Sequence, residues 1–392
     1  MKVLFVCPFV PWPLENGGKI RTFHLIKQAS SHAEVHLRVV KEPAQASDAE
    51  EALRPWCESL RFFDRGRPDA WRRWMRPKLE RWFHSPELIK DVRRDLTENE
   101  FHVVHLDELL LARIVPPARK VPVIQHHHKL DTVLYDTLSE GDGFRRHFDL
   151  WKLRRLEAES TRRYRHHLLC SQEDAEVLRS RHGALDCAVV PSGFDPDHFH
   201  RPLDHSRRDP ERLLFLGSMN YGPNVDATTS FVREALPKIR AKHPDVVFDI
   251  VGGEPVEEVL ALASDKIHVT GRVPDVRPYL EKATMMVVPL RIGGGTRLKI
   301  VEALAMETPV VSTRIGAEGL GLVEGQHLLT GEGPGDLADP ILTLLADPAR
   351  AQSMGKKGGT FVRERFSWHA LGEELVDCWE RMKFSGNLGS SR

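Results

Sequence analysis

The chain runs to 392 residues, more than one hydrophobic core usually organises, so two domains are the expectation. Hydrophobic residues at 41% and charged residues at 29% suit a soluble globular protein. The 56 basic and 56 acidic side chains cancel, which removes any electrostatic reason to expect a nucleic-acid binder.

The opening MKVLFVCPFVPWP holds an apolar run too short to span a membrane and broken by prolines. Val3–Val6 therefore reads as a first buried strand and not as a signal peptide. In the loop that follows, ENGGKIR, Gly17 and Gly18 let the backbone pass close to a ligand, and a helix from about Lys19 aims its N-terminus there. Arg21 either pairs with an anion or holds that loop. Further strands are expected at Glu34–Val40, His102–Leu106, Val121–Gln125, Leu168–Cys170 and Ala188–Val190, each short and followed by turn residues, as in a parallel sheet covered on both faces. Five cysteines (Cys7, Cys57, Cys170, Cys187 and Cys378) lack CxxC spacing, which favours a reduced, cytoplasmic setting.

Residues 61–82 depart from the overall charge balance. Arg61, Arg65, Arg67, Arg72, Arg73, Arg76, Lys78 and Arg81 face only Asp64, Asp69 and Glu80, with Trp71, Trp74 and Trp82 interleaved. One reading is peripheral contact with an anionic membrane surface or a phosphorylated acceptor. The other is an amphipathic helix pair with core tryptophans and solvated arginines.

Past the strand ending at Gln125 comes QHHHK. Consecutive side chains of an extended segment point in alternating directions, so three adjacent histidines are not read as a metal site. Ser171 in CSQED reads as a helix N-cap. The polar, proline-bounded stretch Pro202–Pro210 is the expected linker. The pattern then restarts with strands at Leu213–Leu216, Val246–Val251, Ile267–Thr270, Met285–Val288 and Val310–Ser312. Two such sets imply two Rossmann-like domains with parallel sheets facing across a cleft, at 1–202 and 211–366. A last helix is expected at about 368–384, packing back on the first domain, before a Gly/Ser-rich tail expected to be disordered.

The densest chemistry lies in Val287–Thr313, VVPLRIGGGTRLKIVEALAMETPVVST, a strand, glycine loop, helix and strand within one βαβ length. Gly293, Gly294, Gly295 and Thr296 offer close backbone approach to a phosphate. Arg297 and Lys299 supply cations, and Glu302 a carboxylate able to accept from ribose hydroxyls. A nucleotide diphosphate suits this set.

This stretch resembles the donor-binding signature of the retaining GT-B glycosyltransferases of family 4. The likeness extends to the opening Gly-Gly loop, VVPSGFDPDHF, LLFLGSMNYGPNVDA, DIVGGEP and VTGRVPDVRPYL, and is nearest to the sugar transferases of exopolysaccharide clusters. The resemblance implies a nucleotide-diphosphate sugar donor (UDP-sugar first, GDP-sugar next) and no metal requirement. It implies an acceptor that is a glycan, a lipid-linked sugar or a small molecule. It places Gly17, Gly18 and Arg21 near the donor phosphates, and Gly217, Ser218, Asn220 and Arg272 along the nucleotide, with a surface role for Arg272 as the alternative. A histidine of QHHHK, His127 first and His126 second, would contact the donor sugar; the alternative is a polar loop without chemistry. Two departures stand out. Gly294 occupies the place of the family's first glutamate, and Ser218, Met219 and Asn220 replace its usual Arg and Lys, leaving the diphosphate to Arg297 and Lys299. The other functions considered are a GT-B nucleotide-sugar epimerase and a non-catalytic nucleotide-sugar-binding partner.

Overall fold

The computed structural model describes residues 1–41, 47–66, 74–116, 121–137, 144–200, 208–292 and 297–387. The chain divides into two compact units, Met1–Ser192 with Trp368–Arg392, and Gly193–Ser367. The division falls before Pro202–Pro210, of which 202–207 lie outside the described residues.

Unit 1 is built on β1 (Lys2–Cys7), β2 (Glu34–Lys41), β3 (Ser59–Asp64), β4 (Val103–Asp107), β5 (Val123–His126), β6 (His166–Leu169) and β7 (Asp186–Val189). They form one sheet in the order β3-β2-β1-β4-β5-β6-β7, with every pairing parallel. Alternation along β1 feeds two cores. Val3, Phe5 and Cys7 pack with Leu25, Leu37 and Trp379, while Leu4 and Val6 pack with Val40, Val104 and Leu106. Unit 2 repeats the plan with β8 (Arg212–Leu216), β9 (Val247–Val251), β10 (Ile267–Val269), β11 (Met285–Val288), β12 (Val310–Thr313) and β13 (Leu329–Gly331). Its order is β10-β9-β8-β11-β12-β13, again parallel throughout. Both orders reverse direction once, between β1 and β4 and between β8 and β11. Such a switch point opens a crevice at the carboxyl ends of the strands.

The α/β class is as expected, and the strands expected from sequence are present. β3 and β13 were not anticipated, because Ser59–Asp64 mixes polar with apolar residues and Leu329–Gly331 holds a single large apolar residue. The final helix runs from Trp368 through to Asn387, so the expected disordered tail is helical over Ser385–Asn387; residues 388–392 lie outside the described set. This helix belongs to unit 1. Trp368 and Trp379 are fully buried, and Trp368 stacks on His24 with ring centroids 5.1 Å apart. Gly372 allows the helix to touch Gly17–Ala29: a Cβ there would lie 2.2 Å from Gln28 Cβ. Gly372→Ala is therefore expected to lower stability by about 1–3 kcal/mol through overpacking, whereas Glu373→Ala on the exposed side should leave it nearly unchanged. Urea-denaturation midpoints of the two variants test this, and equal midpoints would contradict the contact.

Candidate active site

In unit 1 the carboxyl end of β4 delivers Asp107 and Glu108 beside the loop that follows β1. Asp107 is fully buried and collects donors from three other elements. Thr22 Oγ1 donates to Oδ2 at 2.7 Å and Cys7 Sγ at 3.4 Å, while His126 Nδ1 and His128 Nε2 reach Oδ1 at 2.9 and 2.7 Å. Burial raises the cost of this carboxylate, but the facing imidazoles outweigh it and hold its pKa well below the usual range. Glu108 sits at φ 87° and ψ 143°, a conformation that non-glycine residues rarely adopt. Its carbonyl accepts from Gln125 Nε2 at 2.7 Å, and its carboxylate meets His128 Nδ1 at 3.3 Å.

The three consecutive histidines have three different surroundings. His126 Nε2 accepts from Arg21 Nε and Nη2 at 3.0 and 2.9 Å, so its proton lies on Nδ1, facing Asp107. His127 donates from Nε2 to His167 Nδ1 at 3.0 Å, because His167 Nε2 is committed to the Tyr164 carbonyl at 3.0 Å. Burial keeps both rings neutral, lowering His127 well below its usual value and His167 to about 4. His128 alone of the three is not fully enclosed. A Cβ on Gly18 would come within 3.4 Å of its Nδ1, and Phe9 meets its ring edge-on. Burial opposes charge on His128, yet Asp107 and Glu108 prevail and raise its pKa.

His105, Asp107 and His126 bring three potential metal-binding atoms within 4.8 Å of one another. The proton arrangement does not suit a cation. Trp379 Nε1 donates to His105 Nδ1 at 3.2 Å, as Arg21 does to His126 Nε2, so His105 Nε2 and His126 Nδ1, 3.1 Å apart, carry the hydrogens and have no lone pair to give. Arg21 itself is buried; beyond His126, its Nη2 reaches the Val190 carbonyl at 2.6 Å and its Nη1 reaches Ser192 Oγ at 3.2 Å. Its guanidinium thus clamps the loop end of the sheet. Ser171 caps its helix, accepting from the Asp174 amide at 3.1 Å.

In unit 2 the helix Leu298–Ala305 begins directly after Arg297. The loop residues Gly293, Gly294, Gly295 and Thr296 lie outside the described set. Lys299 reaches from this helix to the end of β8. Its Nζ donates to Asn224 Oδ1 at 2.9 Å and lies 4.1 Å from the centre of the Phe215 ring. Asn224 in turn donates to the Ser218 carbonyl at 3.0 Å. Gly217 and Gly252 make this approach possible: a Cβ on Gly217 would fall 3.0 Å from Lys299 Nζ, and one on Gly252 would fall 1.7 Å from the Gly217 carbonyl oxygen. Asn220 hydrogen-bonds Glu254, and Arg272 lies beside Gly253. Arg297 is buried and donates to the Ile315 carbonyl at 3.0 Å. The carboxylate of Glu302, one turn beyond Lys299, accepts no protein hydrogen bond among the described residues. Enclosure lowers Lys299 to about 7, with Arg297 adding to the effect, and raises Glu302 to about 7.

The structure therefore gathers Gly217, Ser218 and Lys299, with Glu302 on the same helix, at one switch point. It gathers Gly18, Arg21 and His126 at the other, while His127 turns into the sheet. Asp107, Glu108, His128 and Asn224 were not singled out from sequence. Two carboxylates immediately past an apolar strand were the available signal for the first pair.

The fold defines the class. Sucrose-phosphate synthase from Thermosynechococcus elongatus matches with a TM-score of 0.74 at 17% identity, covering 98% of this chain and 100% of that one. HepE from Anabaena, solved with UDP and glucose, matches with a TM-score of 0.68 at 14% identity over 97% and 99%. These are GT-B neighbours, and at such identities the likeness concerns the fold alone. The Glycosyltransferase Family 4 model matches residues 16–198, and the Glycosyl transferases group 1 model matches 210–347. The chain belongs to the GT-B glycosyltransferases of family 4 and is a glycosyl-transfer enzyme. Similar curated proteins include the D-inositol 3-phosphate glycosyltransferase of Corynebacterium jeikeium, 26% identical over 69% of each chain. The phosphatidyl-myo-inositol mannosyltransferase of Mycobacterium leprae is 25% identical over 77% of this chain and 79% of that protein.

The charge on His128 has a measurable sign. Its folded pKa is raised above the ordinary value of 6.5, so its contribution to stability is complete below that value and is lost as pH rises through the folded pKa. Imidazole titration by NMR should place His128 above 6.5 and show it falling in Glu108→Gln and further in Asp107→Asn. An unshifted titration in both variants would remove the carboxylates as the cause.

Proposed function

We propose that this enzyme transfers a sugar from a nucleotide-diphosphate sugar to a hydroxyl group, with retention of anomeric configuration. The observation that carries the reading is the pairing on one helix of unit 2. Lys299 is brought to the β8 turn by two glycines, and Glu302 lies one turn further on with a carboxylate that accepts no hydrogen bond among the described residues. Lys299 and Arg297 would stabilise the diphosphate as its bond to the sugar breaks, and Glu302 would accept from the ribose hydroxyls. Gly217, Ser218, Asn220 and Arg272 would follow the nucleotide. With two cations at hand, the reading needs no metal ion at the diphosphate. In a front-face step the C1–O bond to phosphate breaks as the acceptor oxygen bonds to C1, and the departing phosphate oxygen takes the acceptor's proton.

For unit 1 we assign the sugar-facing imidazole to His128 in place of His127. His127 is committed to His167, whereas His128 stands against Gly18 with its charge held by Asp107 and Glu108. An imidazolium there would donate to a sugar hydroxyl. HepE was solved with UDP, which supports a uridine donor. The relatives named for inositol phosphate and phosphatidylinositol support an acceptor with a polyol hydroxyl near a phosphate, within the wider class of glycan, lipid-linked and small-molecule acceptors. A role in exopolysaccharide synthesis rests on the sequence resemblance.

Lys299→Ala and Arg297→Ala are each expected to reduce transfer by at least about 100-fold with the fold intact by circular dichroism. Full activity in both would refute the diphosphate assignment. Glu302→Gln should weaken nucleotide binding about tenfold in calorimetry, the size of one charge-assisted hydrogen bond. A thermal-shift screen of UDP-, GDP-, ADP- and TDP-sugars identifies the base, since binding to the native state raises its stability.

Protonation offers a second test of the same site. With a pKa of about 7, Lys299 is mostly neutral at alkaline pH, and a bound diphosphate restores its charge. Binding above pH 7 should therefore take up protons, read as a dependence of the calorimetric enthalpy on buffer ionisation and lost in Lys299→Ala. Buffer-independent heats in the unaltered enzyme would show that Lys299 does not meet the phosphates.

A further inference from the structure

We propose that Asn224 is a positioning residue for the transfer reaction: its side-chain amide fixes Lys299 Nζ at the β8 turn and favours the ammonium form that meets the donor diphosphate. The role in transfer rests on the diphosphate reading of Lys299, whereas the hold of the amide on Lys299 is measurable in the ligand-free enzyme. The helix Gly222–Glu234 starts a few residues beyond β8, with Pro223 in its first turn, where the missing N–H of proline costs nothing. Asn224 comes next and is 7% exposed. Asparagine is seldom so enclosed, and it is a weak helix former. Its backbone amide donates to the Tyr221 carbonyl at 2.8 Å, which closes the first helical turn. The side chain therefore serves other partners.

Those partners use both ends of the amide. Nδ2 donates to the Ser218 carbonyl at 3.0 Å, and Oδ1 accepts from Lys299 Nζ at 2.9 Å. A carbonyl can only accept and an ammonium can only donate, so the two partners fix which way the amide faces. Aspartate has the same size but two acceptors, and leucine has neither donor nor acceptor. Gly217 shows how closely the group is packed. A Cβ there would lie 2.6 Å from Asn224 Nδ2 and 3.0 Å from Lys299 Nζ. The space of a side chain at position 217 is thus taken by the amide and the ammonium together.

Lysine carries its charge on a flexible four-carbon stem, so holding it at one place requires a partner. Among the described residues the amide of Asn224 is the one hydrogen-bonding partner of Lys299 Nζ. The charged groups acting on Lys299 are Arg297 and Glu302, both from its own segment. Enclosure and Arg297 disfavour the ammonium, while the amide oxygen stabilises it by hydrogen bonding to the charged form. Neutrality of the partner matters here. A carboxylate in the same place would also hold the ammonium, but it would cancel the charge that a diphosphate is to meet. The amide takes one of the three ammonium donors and leaves the positive charge uncancelled.

Titration of the lysine side chains by NMR in the ligand-free full chain supplies the test, with the Lys299 signal identified by its loss in Lys299→Ala. Asn224→Asp should move the Lys299 midpoint up by at least about one pH unit, because a carboxylate then faces the ammonium. Asn224→Leu should move it down, because the ammonium loses its acceptor. Each variant should also lower kcat for transfer at least about tenfold, the size of one charge-assisted hydrogen bond. Far-UV circular dichroism confirms folding, and the upward shift in Asn224→Asp decides the matter alone if leucine prevents folding. An amide that merely tied the helix to the turn would not give shifts of opposite sign. Unmoved midpoints in the folded variants, with transfer lost in Lys299→Ala, would overturn this proposal and leave the diphosphate reading standing. Opposite shifts with undiminished transfer would overturn the positioning role, and full activity of Lys299→Ala would overturn the diphosphate reading with it.

Discussion

The constraint from which the structure follows is that, among the described residues, every strand pair in both sheets is parallel. A parallel strand cannot return by a tight hairpin, so each connection must cross over and re-enter the sheet from the same end. All strand carboxyl ends of a unit then lie on one edge, and the loops that leave them are the natural place for function. At one position in each sheet the crossovers diverge to opposite sides, between β1 and β4 and between β8 and β11. Asp107, Gly18 and His128 meet at the first; Gly217, Asn224 and Lys299 meet at the second.

Within unit 1 that placement is made rigid by buried polar groups. A carboxylate without solvent is costly unless its lone pairs are filled, and Asp107 has donors from β1, β5, the first helix and His128 just past β5. Removing one partner leaves the others facing an under-satisfied ion, so the cluster behaves as a unit. Arg21 extends it toward β7 through the Val190 carbonyl, and His105 extends it to the final helix through Trp379. The last helix is thus joined to the site's supporting shell by a hydrogen bond as well as by packing.

Much of this was legible in the chain. Buried parallel strands announce themselves as short β-branched runs, and the cation and carboxylate spacing of Val287–Thr313 singled out the helix that carries Lys299 and Glu302. β3 and β13 were not legible, because Ser59–Asp64 carries a mixed pattern and Leu329–Gly331 has one large apolar residue. The choice among His126, His127 and His128 was also out of reach. All three share one local sequence, and their fates are set by Arg21, His167 and Asp107, which lie from 21 to 105 residues away. The same holds for Arg21, whose two sequence readings, anion partner or loop clamp, differ only in tertiary neighbours.

The helix after the glycine loop shows how a fold can prepare a site electrostatically. Lys299 and Glu302 stand one turn apart, yet their pKa values are moved toward each other, to about 7 from above and from below. Simple ion pairing would separate the two values, because each charge would favour the other. Desolvation dominates instead: the protein around them makes each isolated charge expensive. Both side chains are half-buried, so a ligand that covered them would meet charges already partly withdrawn from water. A phosphate at Lys299 and hydroxyl donors at Glu302 would each restore the ionised form that the protein alone disfavours. The position of Lys299 at the end of β8 depends in turn on the close approach that Gly217 and Gly252 allow.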